Sequence, residues 1–206
     1  MKTSNCMRKK PAKFSCVVGA SNTTVIMESA RLIRCHTAIL AGTIADIRAG
    51  QSQRKTNLPA VCWAANFKDG KRHAESAEST GLAYIDIDHV HENLVRLNRL
   101  PKDMMTPGDY ASGKYARELY EHLFQGYEEE LGIVHAQISP SGDGLHIVFF
   151  PRLWPLEEAQ KAFAEDSGLQ FWDKQCKDIS RLLFLSSASD TLYDALDTIV
   201  DDDEKE

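Results

Sequence analysis

The order of apolar strands, amphipathic helices and one central hairpin predicts an α+β fold with helices on a mostly antiparallel sheet. Three stretches carry that prediction. Leu82-Ala83-Tyr84-Ile85-Asp86-Ile87-Asp88 has the strand period of two, with Ile85 and Ile87 toward the core and Asp86 and Asp88 on the opposite face. Ile133–Ile138 and Leu145–Phe150 are apolar runs on either side of a turn-forming SPSGDG segment, which reads as a hairpin. Tyr115–Leu131 places Leu119, Leu123 and Tyr127 on one helical face and ends at Gly132.

The other elements follow in chain order. Residues 1–13 form a basic, flexible N-terminus, and Phe14–Val18 is a strand. From Val25 to Arg48 the residues Ile26, Ala30, Ile33, Thr37, Leu40, Ile44 and Ile47 recur at helical spacing, with Gly42 as the point of interruption. Gln51–Asn57 is a polar loop exposing Arg54 and Lys55, and Leu58–Phe67 is a strand with Pro59 at its start. The polar run Asp69–Gly81 is a mobile loop. His91–Leu100 is a short helix closed by Pro101, and Lys102–Lys114 is a loop. Pro155–Glu165 is a helix with proline in its first turn, and Ile179–Leu185 is a strand directly after Asp178. The chain therefore divides into residues 1–13, a single domain over 14–190, and an acidic, disordered tail over 191–206.

Composition narrows the function classes. With 206 residues, 43% hydrophobic and 26% charged, the chain has enough apolar material for a real core and is not a disordered polymer. Its apolar runs are too short to span a bilayer, and the basic start lacks the apolar segment of a secretory signal, which places the protein in the cytoplasm. The five cysteines, Cys6, Cys16, Cys35, Cys62 and Cys176, lack zinc-ligand spacing and read as reduced thiols. A net charge of −6 excludes a uniformly basic nucleic-acid grip. Much of the acid sits in Glu128–Glu130 and the DDDEKE terminus, so a local basic groove stays open.

The chemistry rests on Asp86 and Asp88, whose side-by-side carboxylates suit a divalent metal. Two-metal phosphoryl transfer uses ions about 4 Å apart held by carboxylates, and Asp178 would be the third. The SPSGDG turn offers Ser139, Ser141, Gly142 and Gly144 to a triphosphate through hydroxyls and backbone N–H groups. His146 follows beside them, and Arg181 supplies a fixed positive fork. Taken singly, a DxD can be solvated strand termination, SPSGDG an ordinary turn, His146 a core histidine, and Asp178 a cap with Arg181 as its salt-bridge partner. His89 and His91 read as exposed. Lys68, Lys71 and Arg72 read as a solvated loop or a contact to template phosphates.

In combination these motifs resemble the archaeo-eukaryotic primase-polymerase superfamily. The nearest likeness is the primase-like domain at the N-terminus of virulence-associated E (VirE) type proteins of phages and mobile elements. The similar stretches are Ile47–Phe67, Ser79–Val90, Ile138–Phe149 and Lys177–Ser186, in the family's order over residues 44–187. The resemblance implies an RRM-like catalytic sheet with an accessory α/β N-terminal half. It also implies nucleotidyl transfer from nucleoside triphosphates on a single-stranded DNA template, with Mg²⁺ or Mn²⁺. The chain stops soon after Ser187, whereas the family often continues into a helicase, so unwinding is expected from a separate helicase. Two rivals stand beside this reading: a catalytically inactive nucleic-acid-binding module of the same fold, and a metal-dependent nuclease.

Overall fold

The computed structural model describes residues 12–18, 24–67, 69–88, 90–101 and 107–199. In chain order the elements are β1 (Lys13–Val18), β2 (Ile26–Ser29), α1 (Ala30–Ala38), α2 (Ala41–Arg48), a 3₁₀ turn (Ser52–Asn57), β3 (Pro59–Cys62), β4 (Ala65–Asn66), β5 (Glu78–Ser79) and β6 (Ala83–Ile87). They continue with α3 (Val90–Arg96), α4 (Pro107–Ala111), α5 (Lys114–Leu123), β7 (Ile133–Ile138), β8 (Leu145–Phe149), α6 (Leu156–Ser167), β9 (Leu183–Phe184) and β10 (Thr191–Asp194). The fold is mixed α and β, and among the described residues every strand pairing is antiparallel.

Two four-stranded sheets carry the architecture, in the orders β2-β1-β3-β9 and β10-β7-β8-β6. In the second sheet β6, β7 and β8 are buried along their whole length. One core cluster, including Trp63, Tyr84, Phe124, Phe149 and Phe163, runs through both sheets and the helices. Phe163 of α6 stacks on Phe149 of β8 at 4.3 Å, which fixes that helix against the second sheet. β6 is an edge strand, and its outward carbonyls are covered. The Asp173 N–H donates to the Asp86 carbonyl at 2.9 Å, and the Gln160 amide donates to the Tyr84 carbonyl at 3.0 Å.

Several expectations are corrected. Residues 26–29 are an edge strand, because pairing of β1 with β2 (Phe14 opposite Glu28, Cys16 opposite Ile26) outweighs a spacing that happens to fit a helix. The helix break falls at Ile39–Leu40, while Gly42 lies inside α2. α5 ends at Leu123, not Leu131. Gly126 adopts φ +87°, and Glu128 folds back to accept from the Gly126 N–H and the Tyr120 hydroxyl, both at 2.7 Å. Tyr127 is left 57% exposed instead of on the packed face.

Within the expected 102–114 loop, Pro107–Ala111 is helical, and residues 102–106 lie outside the described residues. The expected 179–185 strand shrinks to Leu183–Phe184 and joins β3 in the first sheet. Residues 191–199 belong to the fold. β10 pairs with β7, Leu196 and Ile199 are buried, and Arg34 holds Asp194 at 2.6 Å and Asp197 at 2.7 Å. At the other end Lys13 opens β1, and the Ala12 N–H donates to the Ile199 carbonyl at 3.1 Å. Residues 1–11 and 200–206 lie outside the described residues. Among the described residues no helix is long and apolar enough to cross a membrane.

Candidate metal and phosphate site

The register of the second sheet puts Gln137, His146 and Asp86 in one row across β7, β8 and β6. Gln137 is fully buried and held at both ends. Its amide nitrogen donates to the Phe184 carbonyl at 2.8 Å, and its oxygen accepts from the Ser186 N–H at 3.3 Å. The same nitrogen lies 3.2 Å from His146 Nδ1, a contact that is a hydrogen bond to Nδ1 when the ring proton is on Nε2. That nitrogen faces Asp86 Oδ1 at 3.6 Å. Burial pushes the His146 pKa down to about 4, with Lys55 adding to the effect, so the imidazole is neutral near pH 7.

Asp86 is 8% exposed, and its Oδ1 has no hydrogen-bond partner among the described residues. Burial, reinforced by the neighbouring Asp173 carboxylate, raises its pKa to about 6, against a smaller opposing pull from Arg181. The Cys176 thiol donates to Asp173 Oδ2 at 2.9 Å and points at Asp86 Oδ2 at 3.7 Å. One ligand atom from each of Asp86, Asp173 and Cys176 lies within 4.8 Å of the others. Asp88 sits one residue beyond β6 and is exposed, its pKa raised by desolvation and then by Asp86. A buried carboxylate with an orphaned oxygen, beside two more acids and a thiol, fits a divalent cation.

The 139–144 loop lies directly against these acids. A Cβ on Gly144 would stand 3.0 Å from the Ile87 carbonyl, 3.2 Å from Ser139 Oγ and 3.3 Å from Asp88 Oδ1. Ser139 is buried and its hydroxyl accepts from the Gly144 N–H at 3.1 Å, while the Gly142 N–H donates to the Ser139 carbonyl at 2.9 Å. Ser141 lies 3.2 Å from Ser139 Oγ and donates to Asp143 at 2.6 Å. Two N–H groups expected to face a phosphate are thus engaged inside the loop. Arg48 of α2 anchors the loop from behind, donating to the Ser139 and Pro140 carbonyls at 3.3 Å and pairing with buried Asp190 at 2.9 Å.

Asp178 is placed differently from its expected role. Its carboxylate accepts from the Ser180 N–H at 2.8 Å and hydroxyl at 2.9 Å, and its carbonyl accepts from the Tyr84 hydroxyl at 2.8 Å. The carboxylate that accompanies Asp86 in the ligand cluster is Asp173. Arg181 is exposed and has no ion-pair partner among the described residues, Asp178 included. Its charge nonetheless reaches Asp86 and His146. Lys55, expected in an exposed loop, is partly buried, lies 6.0 Å above the Phe184 ring and acts on Asp86, Asp88 and His146.

Sequence reasoning missed Asp173, Cys176, Lys55, Gln137 and Arg48. The weak signal was Asp173-x-x-Cys176, two ligand types three residues apart in a polar segment. His89 and Lys68 lie outside the described residues; His91 is on α3, 3.8 Å from Glu92. Arg72 donates to the Ser180 carbonyl at 3.4 Å, which ties it to the protein.

A protein-family profile described as BT4734-like, N-terminal domain, matches residues 53–106, a segment that includes β6 and both Asp86 and Asp88 but not the 139–146 loop. No curated protein and no solved structure matches the chain.

Proposed function

We propose that the protein is a primase-polymerase-like nucleotidyltransferase, joining nucleoside triphosphates to a strand on single-stranded DNA with Mg²⁺ or Mn²⁺. The observation that carries this reading is the adjacency of the Asp86/Asp88 strand end to the 139–146 loop, joined through Gly144 and the His146–Asp86 contact. What supports an RRM-like sheet is connectivity alone: β6, α3 to α5, β7, β8, α6 and β10 run β-α-β-β-α-β with β9 diverted to the other sheet, whereas the spatial order β10-β7-β8-β6 leaves the first of these strands at an edge. The cytoplasm and a phage or mobile element complete the proposed setting.

Asp86, Asp88 and Asp173 would hold the divalent ions. Bound there, the ions supply charge neutralisation at the triphosphate and a more acidic attacking hydroxyl. The chain's own groups then have distinct tasks. Arg181 and Lys55 bring positive charge to the phosphates, and neutral His146, with its proton on Nε2, offers a donor without adding charge. Gln137 holds that tautomer. Asp178 shapes the turn that presents Arg181, whose N–H donates to the Asp178 carbonyl at 3.0 Å.

A metal-dependent nuclease is the second reading, favoured by the internal engagement of the Gly142 and Gly144 N–H groups, which weakens a triphosphate grip. The test is incorporation of labelled nucleotides on single-stranded DNA with Mg²⁺ or Mn²⁺, comparing wild type with Asp86→Ala/Asp88→Ala. Metal-dependent product that disappears in the variant supports the transferase. Shortening of the labelled strand supports the nuclease. Binding of single-stranded DNA with neither outcome supports a non-catalytic module.

A further inference from the structure

We propose that Cys176 is a metal ligand, and that Asp86, Asp173 and Cys176 together take a thiophilic divalent cation such as Zn²⁺ or Co²⁺. The inference rests on reading Asp86 and Asp173 as metal-holding groups, and it adds a soft donor that Mg²⁺ chemistry does not call for. Carboxylates and waters are the ligands of Mg²⁺ and Mn²⁺, whereas a thiolate shifts preference toward zinc and its analogues.

The geometry supports a built site and not a chance meeting of acids. Cys176 is fully buried, yet its sulfur is aimed at two carboxylates, 2.9 Å from Asp173 Oδ2 and 3.7 Å from Asp86 Oδ2. Zinc–sulfur and zinc–oxygen bonds in a tetrahedron put two such ligand atoms about 3.6 Å apart. The Cys176–Asp86 pair already has that separation. The Cys176–Asp173 pair is closer, as befits a thiol donating to a carboxylate, and exchange of the thiol proton for a metal lets it open. Asp86 Oδ1, buried and without a hydrogen-bond partner among the described residues, is a further unspent ligand atom on the same carboxylate. The half-buried Asp173 and exposed Asp88 leave an approach from solvent.

Binding exchanges the Cys176 S–H bond for a sulfur–metal bond, and the proton leaves to solvent, with no change of oxidation state. Zinc in this position occupies two of the carboxylates that the catalytic ions need. It therefore acts as a tight competitor of Mg²⁺, and the thiol makes the site selective about its metal.

The experiment is a Co²⁺ titration of the full chain in Mg²⁺-free buffer, followed through the near-ultraviolet thiolate-to-cobalt charge-transfer band. The expected result is a band that saturates at one cobalt per chain, is abolished by zinc and is absent in Cys176→Ser. It persists in Cys6→Ser/Cys35→Ser. Zinc affinity falls in Cys176→Ser by at least the roughly 10–100-fold that loss of even an outer partner causes. Asp173→Asn, which keeps the thiol, moves the cobalt midpoint to higher concentration and guards against a folding defect in the cysteine variant. Absence of the band in wild type, or its survival in Cys176→Ser, overturns the proposal. Nucleotide incorporation without a cobalt band removes the thiolate ligand and leaves the transferase; a cobalt band without incorporation does the reverse.

Discussion

Asp86→Asn is expected to stabilise the protein near neutral pH while removing a carboxylate of the proposed metal site. The buried Asp86 carboxyl has its pKa lifted from 3.8 to about 6, which corresponds to about 3 kcal/mol at 1.36 kcal/mol per pH unit. An acid whose folded pKa is raised is fully tolerated below its unfolded value. As pH rises from about 4 through about 6 the unfolded chain releases this proton more readily than the folded one, so folded stability declines across that window. Asparagine is nearly isosteric and carries no charge, so the variant escapes this decline. The two proteins are expected to be equally stable at pH 4. At pH 7.5 the variant gains up to about 3 kcal/mol, or roughly 6–12 °C in Tm for a chain of this size. The assay is urea and thermal unfolding from pH 4 to 7.5 in chelator, repeated with Mn²⁺, which should raise the Tm of wild type only. A variant no more stable at pH 7.5, or a difference that is constant across the range, would refute the reasoning.

Four other outcomes follow from the local surroundings of single residues. Arg48→Ala leaves Asp190 buried with only its Ser186 and Ser187 hydrogen bonds, and should cost about 3 kcal/mol in urea unfolding. Gly144→Ala forces a methyl against the Ile87 carbonyl at 3.0 Å, which is backbone and cannot swing away; a loss of about 1–3 kcal/mol is expected, together with weaker Mn²⁺ binding through the displaced Asp88. Gly42→Ala in α2 meets nothing within 4 Å and should instead gain up to about 1 kcal/mol in the same unfolding assay. His135→Phe should flatten acid sensitivity. Burial holds His135 neutral with a pKa of about 4, so wild type loses stability as pH falls from about 6.5 toward 4, and phenylalanine against Trp63 removes up to about 3 kcal/mol of that loss when unfolding is measured at pH 4.5 and 7.5.

Local features are legible in the chain's own pattern. Alternation around Asp86 and Asp88 gave β6 with its acids at the end, and the proline, glycine and aspartate of SPSGDG gave the β7–β8 turn, because period and turn chemistry act over a few residues. The α6 helix was legible from Pro155 and its apolar spacing for the same reason. Elements that depend on partners far along the chain are set by long-range contacts. Ile26–Ser29 looked helical until β1 was beside it, and Thr191–Asp194 looked like an acidic tail until β7 gave its backbone partners and Arg34 neutralised Asp194. The site shows the same division. Asp178 has the more suggestive sequence context, but its own Ser180 turn consumes its carboxylate. A backbone hydrogen bond from Asp173 to the uncovered edge of β6 instead carries Asp173, and Cys176 with it, to the side of Asp86. Which acid joins the pair was set by which N–H could close that edge, a long-range requirement that no local pattern records.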